Sequence, residues 1–219
     1  DAGMARLARQ WGLIFPHAPE TPAWESPALW QPEHSPAVVV VAQAPEGFPT
    51  AHPIDLDALL PVVASVDTDD GRHLLIDDPD GHHRLWLVED VHAHSSAFLI
   101  PFDGDFGARL HSLHRLHRRL TGKRAGPPPR SLQLSPLQRT RLSLQVRALD
   151  GEQAGASRRE IASVLLDPSA RTIPAIEWKN AALRKKVNRI VASAIALMNG
   201  GYLTLLRGDP ARAKRFRRR

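Results

Sequence analysis

The chain has 219 residues, of which 42% are hydrophobic and 24% are charged, a composition typical of a folded globular protein. It contains no cysteine, which excludes disulfides, thiol chemistry and cysteine-ligated zinc and fits a reducing compartment such as the cytoplasm. No uninterrupted apolar run approaches the roughly 18 residues that a membrane span needs, and no signal-peptide pattern opens the chain. Because the first residue is Asp1 rather than Met, we expect the natural N-terminus to lie further upstream.

The net charge of +6 is unevenly distributed along the chain. Residues 1–103 contain 4 Lys and Arg against 16 Asp and Glu, a net charge of −12. Residues 104–219 contain 25 Lys and Arg against 7 Asp and Glu, a net charge of +18. Solubility alone does not require the two signs to be separated, whereas a concentrated basic region is typical of proteins that bind a polyanion. The charge pattern therefore favours a nucleic-acid ligand for the second half.

The first half of the sequence predicts an N-terminal segment followed by a small β-sheet. Residues 1–36 combine a short helix at Met4–Trp11 with six prolines that exclude long helices, and their three tryptophans are expected to anchor the segment on the body. Asp78-Pro79-Asp80-Gly81 predicts a hairpin turn. Alternating or β-branched apolar residues predict strands at Ala37–Gln43, Arg72–Asp77, His82–Glu89 and Ala97–Phe102, with a weaker one at Val62–Asp67.

Helical periodicity begins after the predicted strands. Leucines spaced by three and four over residues 104–121 predict a helix, which we expect to pack on the sheet. Gly126 and the three prolines after it predict a stiff basic linker. A capping box at Ser135 and a second one at Ser157 predict helices that run to about Leu149 and Leu166.

The remaining elements complete a helical domain. Residues 167–176 contain two prolines and are expected to form a loop. A third helix is predicted from near Asn180 to Met198, ended by Asn199-Gly200-Gly201, with a short helix at Tyr202–Arg207. The predicted fold class is α+β, a small antiparallel β-sheet domain with a packed helix followed by an all-α domain of helix-turn-helix-variant type. The predicted boundaries are 1–36 for the N-terminal segment, 37–122 for the sheet domain, 123–134 for the linker, 135–207 for the helical domain and 208–219 for a basic tail.

The third predicted helix carries its polar residues on the side away from its apolar stripe, and four cations fall within six residues. Arg and Asn can bind the edges of guanine and adenine through paired hydrogen bonds. A short capped helix followed by a longer basic helix is the order of a helix-turn-helix, but about a dozen residues separate the two here, so we predict a variant. The predicted DNA-binding residues are Arg158, Arg159, Lys179, Asn180, Arg184, Lys185, Lys186, Asn188 and Arg189.

Several short segments, in their order and spacing, resemble the RovC-type regulators of proteobacteria over nearly the whole chain. They are Trp11-Gly12-Leu13, Trp30-Gln31-Pro32-Glu33, Leu74-Leu75-Ile76, Arg118-Arg119-Leu120-Thr121-Gly122, the stretch 155–162, Trp178, Leu183-Arg184 and the stretch 200–206. The resemblance implies a DNA-binding activator of type VI secretion genes or of integrative conjugative element transfer, a helix-turn-helix variant and a tendency to form homo-oligomers. Leu203 departs from the pattern, since a basic residue is expected there, and this puts one phosphate contact in doubt.

The basic tail is expected to add affinity for phosphates without adding sequence discrimination. The expected partners are double-stranded DNA, further copies of the chain, and another regulator or RNA polymerase, with no membrane association and a cytoplasmic location. The tail cations are Arg212, Lys214, Arg215, Arg217, Arg218 and Arg219.

The same sequence also bears on other functions. His111, His114 and His117 recur every three residues, but no carboxylate accompanies them, so a solvated helix face is favoured over a metal site. No catalytic motif is present, and neither enzyme activity nor a cofactor is expected. The alternatives left open are a plain three-helix bundle with a charged face, a protein-interaction module or antiactivator that binds a partner regulator, a non-specific nucleic-acid-binding protein, and an RNA-binding protein. RNA is disfavoured because Trp86 is alone at the strand centres, without a second aromatic for base stacking.

Overall fold

Five strands form one sheet in the computed structural model, which describes residues 2–18, 20–22, 25–88 and 95–208. The chain divides into two compact units, one formed by residues 1–133 and 203–219 and the other by residues 134–202. The sheet belongs to the first unit and its strands are ordered β2-β3-β4-β1-β5. The strands are β1 (Val38–Gln43), β2 (Val62–Thr68), β3 (Gly71–Ile76), β4 (His83–Leu87) and β5 (Ser96–Leu99).

The α+β fold class is confirmed, but the sheet is not wholly antiparallel as predicted. β1 pairs with β4 in parallel, with Val39 opposite Leu85, while the other neighbouring strands are antiparallel. Parallel neighbours need a crossover connection, and residues 44–82 provide it between β1 and β4, with β2 and β3 formed within it. The apolar alternation of a strand indicates which face is buried but not the direction of its neighbour, so the sequence could not reveal this pairing.

One face of the sheet packs against α2 (Phe106–Leu120), as the sequence predicted. Leu116 of α2 is fully buried among the sheet residues, and Leu59 from the crossover closes the same core. Burial of one such leucine side chain stabilises the fold by about 1.5–3 kcal/mol. The buried members of this core are Val39, Val41, Leu59, Leu74, Ile76, Leu85, Leu87 and Leu116.

The N-terminal segment covers the opposite face of the sheet. It begins with α1 (Ala2–Gln10), and Leu13 forms an isolated β-bridge with Trp30. The guanidinium of Arg84 on β4 donates to the carbonyl oxygen of Ala28 at 2.8 Å, and Leu29 is buried. Side chains on both faces of the sheet are therefore covered. The predicted anchor Trp24 lies outside the described residues.

The segment predicted as a stiff linker is bound to the first unit. Arg115 of α2, only 5% exposed, donates from Nε to the carbonyl oxygen of Gly126 at 2.7 Å and from Nη2 to that of Gly81 at 2.6 Å. The carboxylate of Asp80 accepts from the Gly126 N–H at 2.9 Å and from Arg124 at 2.8 Å. The hydrogen bond from the Gly126 N–H is the main reason that the pKa of Asp80 is lowered. We call Asp80, Arg115, Arg124 and Gly126 the Arg115 cluster.

Four α-helices make up most of the second unit, and both predicted capping boxes are confirmed. The box at Ser135 starts α3, and the box at Ser157 starts α4. α3 extends past its predicted end at Leu149 because Asp150 and Gly151 remain helical, and the residue with left-handed φ (+79°) is Gly155. The helices are α3 (Pro136–Gln153), α4 (Arg158–Leu165), α5 (Ala175–Trp178) and α6 (Ala182–Ala196).

The end of α6 agrees with the prediction from Asn199-Gly200-Gly201. A distorted turn covers Leu197–Gly201, Gly200 has φ of +109°, and α7 (Tyr202–Arg207) follows. By length and composition alone, the run Ala182–Arg207 could cross a membrane, because an 18-residue window within it has a mean hydropathy of 1.3. In this structure the apolar stripe of α6 packs into a protein core, and the helical geometry is interrupted at Gly200.

We expect Gly71→Ala to lower the free energy of unfolding by about 3 kcal/mol, at the upper end of the cost of a strained residue. Gly71 has φ of +127°, and a Cβ there would lie 2.1 Å from the carbonyl oxygen of Leu87. Urea unfolding followed by circular dichroism measures the loss. Gly107→Ala is the matched control, because its Cβ position has no described atom within 4 Å apart from its chain neighbours and its own helix backbone, and alanine favours a helix. Equal unfolding midpoints for the two variants would contradict the assigned strain.

Candidate nucleic-acid interface

The second unit is a small helical body with an excess of positive charge. Residues 134–202 contain 11 Lys and Arg against 5 Asp and Glu. Its core joins α3, α4 and α6, with Trp178 of α5 packed against it. The buried members are Ala148, Ile161, Ala162, Ala170, Val187 and Val191.

The start of α4 is fixed by a reciprocal pair of hydrogen bonds. The Ser157 hydroxyl oxygen accepts from the Glu160 N–H at 3.2 Å, and the Glu160 carboxylate accepts from the Ser157 N–H at 2.7 Å. The hydrogen bond from the Ser157 backbone is the main cause that lowers the pKa of Glu160. The carboxylate at this helix start is therefore engaged with the backbone as an anion.

The connection between α4 and α6 is more ordered than the predicted loop over residues 167–176. Asp167 accepts from the Ser169 N–H at 2.8 Å and caps a 3-10 turn at Pro168–Arg171, in which Ala170 is fully buried. α5 follows after Pro174. Two short helical segments, the 3-10 turn and α5, therefore separate α4 from α6. In a standard helix-turn-helix the two helices are joined by a tight turn instead.

α6 begins at Ala182, slightly later than its predicted start near Asn180. The cap residue Ala181 has extended backbone geometry (ψ 138°), so Lys179 and Asn180 lie in the turn before the helix. Both side chains are exposed. Neither proline nor glycine marks this boundary in the sequence, which explains the misplaced start.

Four polar side chains form the outer face of α6, which we define as Lys185, Lys186, Asn188 and Arg189. Val187, Val191 and Ala194 are buried on the inner side. At 100° per residue, Lys185 and Arg189 lie about opposite Val187, with Lys186 and Asn188 beside them. All four are exposed, and no acidic side chain within the described ranges pairs with the three cations. The face is thus a cationic surface open to solvent.

Three other predicted site residues have protein partners. Arg158 forms an ion pair with Glu152 of α3, with Nη2 2.9 Å from Oε1. The Arg159 guanidinium lies 5.3 Å from the ring centroid of Trp178. Arg184 is half-buried and donates from Nη1 to the carbonyl oxygen of Lys179 at 3.2 Å. The structure therefore places Arg158 and Arg159 where they also connect α4 with α3 and α5.

Exposed arginines on α3 were not among the predicted site residues. Arg139, Arg141 and Arg147 are exposed, and Arg139 donates to the carbonyl oxygen of Leu134 at 3.4 Å. Their only signal in the sequence was the general basic character of this half. The tail cations from Arg212 to Arg219 lie outside the described residues.

Comparison with known protein families gives two matches. Residues 99–207, which run from the end of β5 to the end of α7, match the RovC model described as the DNA-binding domain of a type VI secretion system (T6SS) transcription factor. Residues 37–97 match a domain of unknown function, DUF7012. None of the curated proteins matches the chain. The outer face of α6 thus lies within a segment similar to a DNA-binding domain.

Proposed function

Because the chain belongs to the RovC family of T6SS transcription factors, we propose that it binds specific DNA sequences through the outer face of α6 and activates the genes beside them. The observation that supports this proposal is the exposed set Lys185, Lys186, Asn188 and Arg189 on a helix whose other side is buried. We propose secretion-system or mobile-element transfer genes as the targets and the cytoplasm as the location.

The dimensions of α6 suit a DNA groove. Its 15 residues span roughly 22 Å at 1.5 Å per residue, and the major groove is about 12 Å wide. Arg189 and Asn188 are side chains that can discriminate guanine and adenine. Lys185 and Lys186 can neutralise phosphates, so binding would weaken as salt rises.

The remaining predicted residues fit supporting roles in this proposal. Lys179 and Asn180 are exposed just before α6 and would contact the backbone or bases at the edge of the site. Arg158 and Arg159 are half-buried and would contact phosphates beside their partners Glu152 and Trp178. The tail, Arg212 to Arg219, would add non-specific affinity. We also propose that copies of the chain associate on DNA and contact RNA polymerase or another regulator.

Selection from a random duplex library tests the proposal with the purified full chain. We expect a short sequence motif to be enriched, and binding to that motif to exceed binding to scrambled DNA by about 1,000-fold, the lower range for specific regulators. Enrichment of no motif, with equal affinity for any duplex and for heparin, would indicate a non-specific nucleic-acid-binding protein. A stoichiometric complex with another regulator, in place of DNA binding, would indicate an antiactivator. A reporter gene placed beside the motif measures activation.

A further inference from the structure

A cavity of about 410 Å³ lies in the first unit, beside the hairpin turn between β2 and β3. It is separate from the outer face of α6, and none of its residues is used in the proposed DNA binding. The cavity is lined by the N-terminal segment, by the hairpin turn and by the face of the sheet opposite α2. The residues that matter here are Arg9, Glu33, Asp69, Asp70, His73 and Trp86.

The floor of the cavity is a pair of aromatic rings on neighbouring strands. His73 of β3 is opposite Trp86 of β4, and their rings are stacked with centroids 5.7 Å apart and planes 8° apart. The Trp86 Nε1–H donates to the carbonyl oxygen of Asp70 at 2.9 Å, which orients the indole. Trp86 is half-buried and lines the cavity, and an indole face attracts cations.

His73 carries an unsatisfied polar atom at this place. The side chain is 3% exposed, and its Nε2 has no hydrogen-bond partner within the part of the chain that the structure describes. Burial lowers the pKa of His73, so the ring is neutral near pH 7. A buried polar atom without a partner is rare and costly in a folded protein, and a bound group that supplies a partner is one explanation for it.

Carboxylates surround the aromatic pair. Asp70 accepts from the Thr68 hydroxyl at 2.6 Å, and this hydrogen bond is the main cause that lowers its pKa. Asp69 is exposed, and no partner for its carboxylate is found among the residues that the structure describes. With Glu33, the lining of the cavity contains three carboxylates and one guanidinium, that of Arg9. The excess of negative charge selects against anions.

We infer that this cavity binds a small organic cation, an amine or guanidinium compound, between the Asp69 and Asp70 carboxylates and the indole face of Trp86. An ammonium group would be paired by the carboxylates and would lie over the indole ring. The aliphatic part of the ligand would lie against Ile14 and Pro32, which also line the cavity. The inference does not depend on DNA binding.

Calorimetric titration of the full chain with putrescine tests the inference, with 1,4-butanediol as the uncharged isostere. We expect saturable binding of putrescine with a change in tryptophan fluorescence that Trp86→Phe removes, and no binding of butanediol. Asp69→Asn should weaken binding about fivefold, the effect of losing one exposed charge contact. Asp150→Asn is the matched control, an exposed aspartate on α3 of the other unit.

Three results would overturn the inference. The first is the absence of saturable putrescine binding. The second is equal affinity for putrescine and butanediol, which would show that charge plays no part. The third is an equal loss of affinity in Asp69→Asn and Asp150→Asn, which would show that the amine only screens surface charge. Circular dichroism of each variant checks that its fold is retained, and Asp69→Asn changes only an exposed side chain.

Discussion

The double variant Lys185→Ala/Arg189→Ala is expected to bind the selected DNA site about 100-fold more weakly than the unchanged chain. Each side chain is exposed on the outer face of α6 and lies about opposite the buried Val187. A charged or bidentate contact to DNA contributes about 1–3 kcal/mol, so the loss of two contacts gives a factor of this size. Fluorescence anisotropy with labelled duplex at fixed salt measures the change.

The salt dependence of the same variant supplies a second readout. Each lost phosphate contact makes the slope of log affinity against log salt shallower by about 0.9. The matched control is Arg139→Ala/Arg147→Ala, which removes two exposed arginines from α3 in the same unit. We expect the control to bind within a few-fold of the unchanged chain. If both double variants lost the same affinity, binding would follow the net charge of the unit and α6 would not be the recognition helix.

A second large effect is expected on stability, from Arg115→Met in the Arg115 cluster. The variant should lose about 3 kcal/mol of unfolding free energy, because methionine keeps the length of the side chain but leaves the carbonyl oxygens of Gly81 and Gly126 without their donor. The guanidinium is almost fully buried, so solvent cannot replace these hydrogen bonds without opening the structure. Urea unfolding of the full chain measures the loss.

The control for this prediction lies in the same segment. Lys123 is exposed, so Lys123→Met should change stability by less than about 0.5 kcal/mol. Amide hydrogen exchange provides a local readout, because the Gly126 N–H donates to Asp80 and should exchange faster in Arg115→Met. Equal stability of the two variants, with unchanged exchange at Gly126, would show that Arg115 does not hold the segment in place.

Local patterns in the sequence were sufficient to predict most elements. Both capping boxes are satisfied within four residues of chain, so Ser135 and Ser157 marked their helices correctly. The strand positions followed from alternating or β-branched apolar residues, a pattern that a single strand carries by itself. The parallel pairing of β1 with β4 depends on where the crossover returns, and no local pattern encodes it.

The candidate interface also contains some features that the sequence could predict and others that it could not. The outer face of α6 could be predicted because helical periodicity separates it from the buried stripe at Val187 and Val191. The partners of Arg158 and Arg159 could not be predicted, since Glu152 and Trp178 come close to them only through packing. The Arg115 cluster was missed for a related reason: a basic residue on an amphipathic helix gives no sign that it binds carbonyl oxygens 11 and 34 residues away in sequence.

The core residues of α6 are different from the residues of its outer face, and this separation has a consequence for engineering. The core of the second unit is built by Val187 and Val191, while Lys185, Lys186, Asn188 and Arg189 make no hydrogen bond or ion pair with other side chains in the described ranges. These four positions can therefore be randomised with little change in the free energy of folding. On the proposed mode of DNA binding, a library at these positions, selected against altered DNA sites, would yield regulators with a changed choice of site.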